Sequence, residues 1–169
     1  MRALRVLFTI AVALVLQTTL ARFLVRGTAG VDLVLVAVAY LGLTLGPVAG
    51  ILSGTIAGLA QDSLGAGIMG VGGLAKTVVG FLAGIVGTTF IVSQTIPRVL
   101  VFFGATLVQL AITTGLYFLL DPQPPVVGRY SALAESVANA LLGVVLFQVV
   151  DAVPGMMDRR RGMSRGRVR

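Results

Sequence analysis

Three charged side chains within or beside apolar segments are the residues of this sequence best placed to do chemistry: Asp62, Lys76 and Glu135. Two carboxyl groups could serve as a general acid and a general base if the fold brought them together. The chain, however, contains neither histidine nor cysteine, which excludes thiolate zinc sites and histidine-based catalysis or metal binding. Residues 73–76 also lack the spacing of a phosphate-binding loop. We therefore predict no enzyme activity, no catalytic residues, no metal ligands and no cofactor.

The amino-acid composition is that of a membrane protein. Hydrophobic residues make up 57% of the 169 residues, whereas charged residues make up only 11%. Typical soluble domains are about 25% charged, so this chain has too few charges to cover a water-facing surface. Intrinsic disorder is excluded because disordered chains are poor in apolar residues. Continuous apolar runs indicate helices rather than a transmembrane barrel, whose strands alternate polar and apolar residues.

The net charge of +7 comes mostly from the C-terminal tail, residues 156–169. Basic residues beside anionic lipid headgroups each contribute about 1 kcal/mol to membrane attachment. We interpret the tail as a basic cytoplasmic segment that contacts lipid or a cytoplasmic protein, rather than as a nucleic-acid site. Its candidate contact residues are Arg159, Arg160, Arg161, Arg165, Arg167 and Arg169.

Six apolar runs, separated by helix-breaking residues, predict an all-α bundle of about six transmembrane helices in residues 1–155. Gly46-Pro47 divides the second run from the third, because proline disfavours helix at the residue before it and suits the first turn of the next helix. The Gly-rich residues 62–70 and the Pro-rich residues 121–125 are predicted loops. The predicted helices span residues 6–25, 33–45, 47–61, 71–92, 97–120 and 131–150.

The first three runs leave alternatives open. The first follows Arg2 and Arg5 and resembles a secretory signal peptide, although we favour an uncleaved helix. The second and third runs are shorter than the roughly 20 residues that a span needs, so five spans is the alternative count. With six spans, nine Lys and Arg residues lie on the side of both termini and four on the other, which places both termini in the cytoplasm.

Most predicted helices carry a stripe of small or polar residues, as expected for a bundle whose stripes meet inside it. We interpret the glycines of the third and fourth helices as packing positions within the bundle, with an interface to another chain as the alternative. These glycines are Gly46, Gly50, Gly54, Gly58, Gly73, Gly80, Gly84 and Gly87. Polar stripes on the other helices group Thr9 with Gln17, Thr106 with Gln109 and Thr113, and Glu135 with Asn139.

The predicted topology gathers the charges in the outer half of the bundle, because Asp62 ends the third helix there, while Lys76 and Glu135 lie early in helices that begin there. A charged side chain at the bilayer centre costs about 2.5–3.5 kcal/mol on insertion scales, so such residues pair or face a cavity. We predict an intramembrane cluster in which Lys76 pairs with Asp62 or Glu135, with Asn139 nearby. The cluster either holds helices in register or lines a functional pocket.

The segment GLAQD at residues 58–62, a Gly-rich loop and the segment GVGGLAKTVVGFLAG at residues 70–84 resemble the MreD family of rod shape-determining membrane proteins. Size, basic N-terminus, six apolar runs and charged tail are similar across nearly the whole chain. The resemblance implies a six-helix bundle similar in fold to the S components of energy-coupling-factor transporters. Among the candidate residues it supports Gly58 and Asp62, whereas Glu135 and Asn139 rest on the residue pattern alone.

The resemblance also implies a function and partners. MreD proteins are non-enzymatic scaffolds or regulators of the elongasome in the bacterial inner (plasma) membrane, where lateral peptidoglycan synthesis sets cell shape. The implied partners are membrane lipid, an MreC-like protein, a RodA-type glycosyltransferase, a class B penicillin-binding transpeptidase and, indirectly, MreB filaments, with no nucleic acid. The alternative function is the substrate-binding component of a vitamin-type transporter. A filled, paired charge cluster favours the scaffold, and an open polar cavity favours the transporter.

Overall fold

A computed structural model describes residues 2–23, 31–65, 67–89, 95–120 and 132–148 of the protein. These residues form six α-helices without any strand, which confirms the all-α prediction for this part of the chain. The helices are α1 (Arg2–Phe23), α2 (Leu33–Leu45), α3 (Pro47–Leu64), α4 (Val71–Thr89), α5 (Thr95–Leu120) and α6 (Ala132–Gln148).

The observed helix bounds differ from the predicted ones at a few positions. Helix α3 continues to Leu64, so Asp62 lies in its last turn rather than in the following loop. Helix α5 begins at Thr95, which places Pro97 in its first turn, where the missing N–H costs no intrahelical hydrogen bond. The predicted ends of the first, fourth and sixth helices lie outside the described residues, as does the basic tail.

Helix α2 lies in the core of the bundle. Nine of its 13 residues are buried, and its sequence is apolar on every face, which is typical of a helix surrounded by others. Its residues cluster with Ile10 of α1 and Ala57 of α3. A second cluster joins α2 to Ala83 of α4, Phe102 of α5 and Phe147 of α6. The apolar contacts of α2 thus extend to all five other helices.

Helices α3 and α4 pack so closely that their backbones touch. A Cβ atom at Gly50 would overlap the carbonyl oxygen of Gly80, and a Cβ atom at Gly54 would overlap that of Lys76. A Cβ atom at Gly58 would likewise overlap the Cα atom of Gly73. Small residues permit this approach of two helix backbones in lipid. The glycine stripe of α3 therefore faces α4 of the same chain.

Glycines lie at the turn between α2 and α3 and on the face of α4 that packs against this turn. Gly46 has a φ of 93°, a conformation that residues with a side chain rarely adopt, and Pro47 then opens α3. Gly84 lies against Pro47, and Gly87 lies against Leu43. The eight predicted packing glycines therefore all lie within one unit formed by α2, α3 and α4.

The described helices differ in how well they match the length of a bilayer span. Helix α4 and residues 96–120 of α5 are long and apolar enough to cross a membrane, whereas residues 6–19, 33–45 and 132–148 form shorter apolar helices. Large apolar side chains also face outward on α1, α3 and α5, among them Phe8, Val48 and Leu119. An apolar surface of this extent is typical of a membrane or protein contact.

Candidate functional site

The candidate site is built around Asp32, the residue directly before α2. Its Oδ1 accepts a hydrogen bond from the backbone N–H of Leu35 at 2.9 Å, which is the N-cap interaction that aspartate favours. Asp32 is only 7% exposed, and an unpaired buried charge is very costly. The surrounding helices must therefore supply a counter-charge and further hydrogen-bond donors.

Lys76 of α4, the only lysine in the sequence, supplies the counter-charge. Its Nζ lies 2.7 Å from Oδ2 of Asp32, and both side chains are buried. The predicted pairing of Lys76 with Asp62 or Glu135 was therefore wrong. Gly54 of α3 contacts the backbone of α4 at Lys76. The side chain of Lys76 extends to the start of α2, where it meets Asp32.

Helices α5 and α6 complete the surroundings of Asp32. Nε2 of Gln109 donates to Oδ2 of Asp32 at 2.9 Å, while the backbone N–H of Asp32 donates to Oδ1 of Asn139 at 2.9 Å. Nδ2 of Asn139 donates to Oγ1 of Thr106 at 3.3 Å, which links α6 to α5 directly. We call this set of five residues the Asp32 hub: Asp32, Lys76, Thr106, Gln109 and Asn139.

Helix α1 is attached to the same point by Gln17. Its Nε2 donates to the carbonyl oxygen of Val31 at 2.9 Å, and its Oε1 accepts from the backbone N–H of Leu33 at 2.8 Å. One side-chain amide therefore binds the backbone on both sides of Asp32. It also satisfies an N–H of the first turn of α2, which has no acceptor within the helix. Five of the six described helices thus meet at residues 31–33.

Glu135 lies at the edge of the hub, one turn before Asn139 on α6. It is partly buried and is close enough to Asp32 and Lys76 for electrostatic interaction with both. One acceptor within the hub, Oε1 of Gln109, has no hydrogen-bond partner among the described residues. With that exception the hub is a buried and mutually bonded cluster, in which Thr106 and Asn139 are fully buried.

Asp62 has a different role from the one predicted, because it caps α4 instead of pairing with Lys76. Its Oδ2 accepts from the backbone N–H groups of Gly70 and Gly73 at 2.9 and 3.0 Å. A carboxylate at a helix N-terminus also interacts favourably with the helix dipole. A Cβ atom at Gly72 would overlap the Asp62 carboxylate, so the Gly-rich sequence of this turn makes room for the cap.

Replacing Asp62 with alanine should lower the free energy of unfolding by about 0.5–2 kcal/mol, the usual cost of losing an N-cap carboxylate. The measurement is a thermal unfolding curve of the purified protein in mild detergent. Ser63→Ala is the matched control, because the exposed Ser63 hydroxyl donates to the carbonyl oxygen of Ala60 in its own helix and to no other described residue. Equal unfolding temperatures for the two variants would contradict the capping role.

An apolar groove runs along the bundle beside the hub. It has a volume of about 770 Å³. Helix α2 forms its floor, and α1 and α6 form its walls. Its lining includes Val12 and Leu16 of α1, Ala37 and Leu41 of α2, and Leu142 and Val145 of α6. The groove offers apolar contact area rather than convergent polar groups, so it fits an apolar occupant.

The predicted polar stripes on α1, α5 and α6 contain Gln17, Thr106, Gln109 and Asn139, whereas the predicted cluster does not include Asp32. The signal was present, because an aspartate directly before an apolar run is an N-cap signature. The predicted topology also begins the second helix on the side where Lys76 lies. Together, these two features of the sequence point to Asp32 as a partner of Lys76.

A family model described as rod shape-determining protein MreD matches residues 1–152. The chain belongs to the MreD family. Searches of curated proteins and of solved structures gave no match. MreD membership, together with the apolar helices, makes the chain a membrane protein with a role in determining rod shape. The likeness of MreD proteins to transporter S components stays a prediction for this chain.

Proposed function

We propose that this MreD protein is a non-enzymatic scaffold of the bacterial cell-elongation complex, which supports lateral peptidoglycan synthesis by binding the transmembrane helices of partner proteins. The observation that carries the proposal is the apolar groove between α1, α2 and α6. Family membership supports the rod shape-determining role itself. The groove adds a physical means by which such a role could be performed, namely helix–helix contact within the membrane.

The alternative function, a transporter component, would need a polar cavity for a small solute. The polar side chains that could line one are instead bonded to one another in the Asp32 hub, where Lys76 and Asp32 neutralise each other. The large groove lies beside this cluster and is lined by apolar side chains. A filled charge cluster next to an apolar groove favours the scaffold.

The dimensions of the groove fit a helix as its occupant. The groove follows α2 from Leu33 to Leu45, a length of about 20 Å at 1.5 Å per residue. A helix segment of that length and of about 10 Å diameter occupies roughly 1,500 Å³. The groove volume of about 770 Å³ is smaller than that of such a helix, so the groove would receive one face of the helix rather than enclose it. We propose a transmembrane helix of an MreC-like protein as the occupant.

The proposal includes a membrane topology and further partners. We place the protein in the inner (plasma) membrane as a multi-pass bundle of about six spans, with both termini and the basic tail in the cytoplasm. The excess of Lys and Arg on that side supports this orientation. A RodA-type glycosyltransferase and a class B penicillin-binding transpeptidase are the proposed further partners, with MreB filaments as indirect ones.

Filling the groove should prevent partner binding without unfolding the protein. Val12→Trp and Val145→Trp place large side chains in the groove at positions that are already partly exposed. We expect each variant to weaken binding by at least about tenfold, or about 1.4 kcal/mol. The measurement is the amount of an MreC homologue that co-purifies with the tagged protein after co-expression, in mild detergent.

The matched controls are Val15→Trp and Leu141→Trp, which lie on the same two helices, are exposed, and do not line the groove. They should retain the partner at the level of the unmodified protein. Failure of the unmodified protein to retain an MreC homologue, combined with saturable binding of a vitamin, would replace the scaffold by the transporter. Equal retention by groove and control variants would move the partner site to another surface.

A further inference from the structure

The two walls of the groove are attached to three consecutive residues, Val31, Asp32 and Leu33. Gln17 ties α1 to the backbone of Val31 and Leu33, and Asn139 ties α6 to the backbone N–H of Asp32. Leu16 and Leu33, which line the groove, are direct chain neighbours of these attachment points. At this end of the groove, the hub end, α1 and α6 are therefore both joined to residues 31–33 by hydrogen bonds.

At the opposite end of the groove, α6 is attached through the ring of Phe147, over which the guanidinium of Arg98 also lies, 4.2 Å from the ring centroid. The ring of Phe147 on α6 packs edge-on against Tyr40 of α2, with ring centroids 4.7 Å apart. It also packs against Phe102 of α5, with ring centroids 6.0 Å apart. Aromatic contacts of this kind do not depend on the polar groups of the hub. A change in the hub should therefore move the walls at one end of the groove and leave the other end in place.

We infer that the Asp32 hub, with Gln17, sets the width of the groove at its hub end and thereby how firmly the groove holds a helix. Gln17 and Asn139 are then positioning residues, which act on the occupant through α1 and α6 without touching it. The part of this inference that concerns the occupant rests on the proposed function. The part that concerns the width of the groove stands on the hydrogen bonds alone.

The chemistry of the attachments explains why their loss should open the groove. Replacing Asn139 with leucine removes the acceptor of the Asp32 N–H and leaves that donor buried without a partner. A buried unpaired donor is unfavourable, so the start of α2 gains stability by moving toward water or another acceptor. The Gln17→Met change acts in the same way on the N–H of Leu33, at a less buried position.

The width can be measured directly by spin labelling, because the chain contains no cysteine and a pair of introduced cysteines is the only reactive pair. Labels at Val15 and Val137 report on the hub end, and labels at Leu7 and Gln148 report on the opposite end. All four side chains are exposed and none lines the groove. Pulsed electron–electron double resonance, measured on the full chain in detergent without any partner protein, then gives the two distance distributions.

For both Gln17→Met and Asn139→Leu we expect the distance between the labels at Val15 and Val137 to increase by about 5 Å, which is half of a helix diameter. A broadening of the distance distribution by the same amount is the equivalent result. The Leu7–Gln148 distance should stay the same. Unchanged distributions at the hub end in the Gln17→Met protein would overturn the inference. An equal change at both ends would overturn it as well, since the helices would then separate as a whole.

The consequence for binding is tested by co-purification of an MreC homologue with the Gln17→Met protein. We expect binding of the MreC homologue to weaken by at least about tenfold (about 1.4 kcal/mol) in this variant with the wider distance, while the Val15→Trp protein retains the partner. Full retention despite the wider distance would overturn the link between width and binding. Failure of the unmodified protein to retain the partner would instead contradict the proposed function and leave the distance measurements to decide the role of the hub.

Discussion

Replacing Lys76 with methionine is expected to lower the free energy of unfolding by about 3–5 kcal/mol, the usual cost of removing one partner from a buried ion pair. Methionine preserves most of the length of the side chain, so packing is largely retained. Asp32, which is 7% exposed and lies 2.7 Å from the lysine, would be left with an uncompensated charge. The loss is measured by a denaturant titration of the purified protein in mild detergent.

The reason for the loss is tested by a second change at Asp32. Asn is as good an N-cap as Asp, and its side-chain oxygen can still accept from the backbone N–H of Leu35. Its NH2 group, which takes the place of Oδ2, can donate to Oε1 of Gln109 once the Gln109 amide turns over, and that oxygen has no hydrogen-bond partner among the described residues. The double variant Lys76→Met, Asp32→Asn should therefore recover most of the stability, because no buried charge remains. Replacement of a buried ion pair by neutral groups of similar volume is often neutral or stabilising. Asp32→Asn alone should be destabilised, since it leaves Lys76 unpaired.

Leu74→Met is a control on the exposed face of α4. It should change the free energy of unfolding by less than about 0.5 kcal/mol, as is usual for surface positions. If the double variant were as unstable as the Lys76→Met protein, the effect would come from lost packing rather than from the unpaired carboxylate. The double-variant cycle thus separates the charge of Lys76 from its volume.

The helices could be predicted well from the sequence because their signals are local. Gly46-Pro47 defines the boundary between α2 and α3, and the apolar run from Leu33 to Leu45 coincides with α2. The Gly-rich residues after Asp62 predict an earlier end of α3, which places Asp62 in a loop. Its carboxylate caps the next helix from the last turn of α3, an interaction between two elements that no local pattern contains.

The polar cluster could be predicted only in part, since its partners are far apart in sequence. Spacing places Asn139 on the inner face of its helix and the topology gathers charges at one end, so Lys76 and Asn139 were assigned to one cluster. Which of the carboxylates pairs with Lys76 depends on distances of a few ångströms, which the sequence pattern does not define. Asp32 reaches Lys76, while Glu135 lies at the edge of the hub and Asp62 is bonded to the start of α4.

Alanine at Gly50 or Gly80 is expected to destabilise the protein by about 3 kcal/mol or more, at the upper end of the cost of overpacking. Each added Cβ atom would overlap the backbone carbonyl oxygen of the other glycine. A carbonyl oxygen cannot rotate away as a side chain can, so α3 and α4 would have to separate. The measurement is again the denaturant titration, with gel filtration to confirm a single species.

The same substitution at two other glycines isolates this packing effect. A Cβ atom at Gly104 or Gly115 of α5 meets no described atom within 4 Å. Alanine is favoured over glycine in a helix by about 1 kcal/mol, so Gly104→Ala and Gly115→Ala should be neutral or stabilised by up to that amount. Because helix propensity acts with the same sign at all four positions, a loss at Gly50 and Gly80 alone must come from the contact between α3 and α4. Equal stability of all four variants would mean that the backbones of α3 and α4 are not in contact at Gly50 and Gly80. The glycine stripe of α3 would then have to pack against another surface.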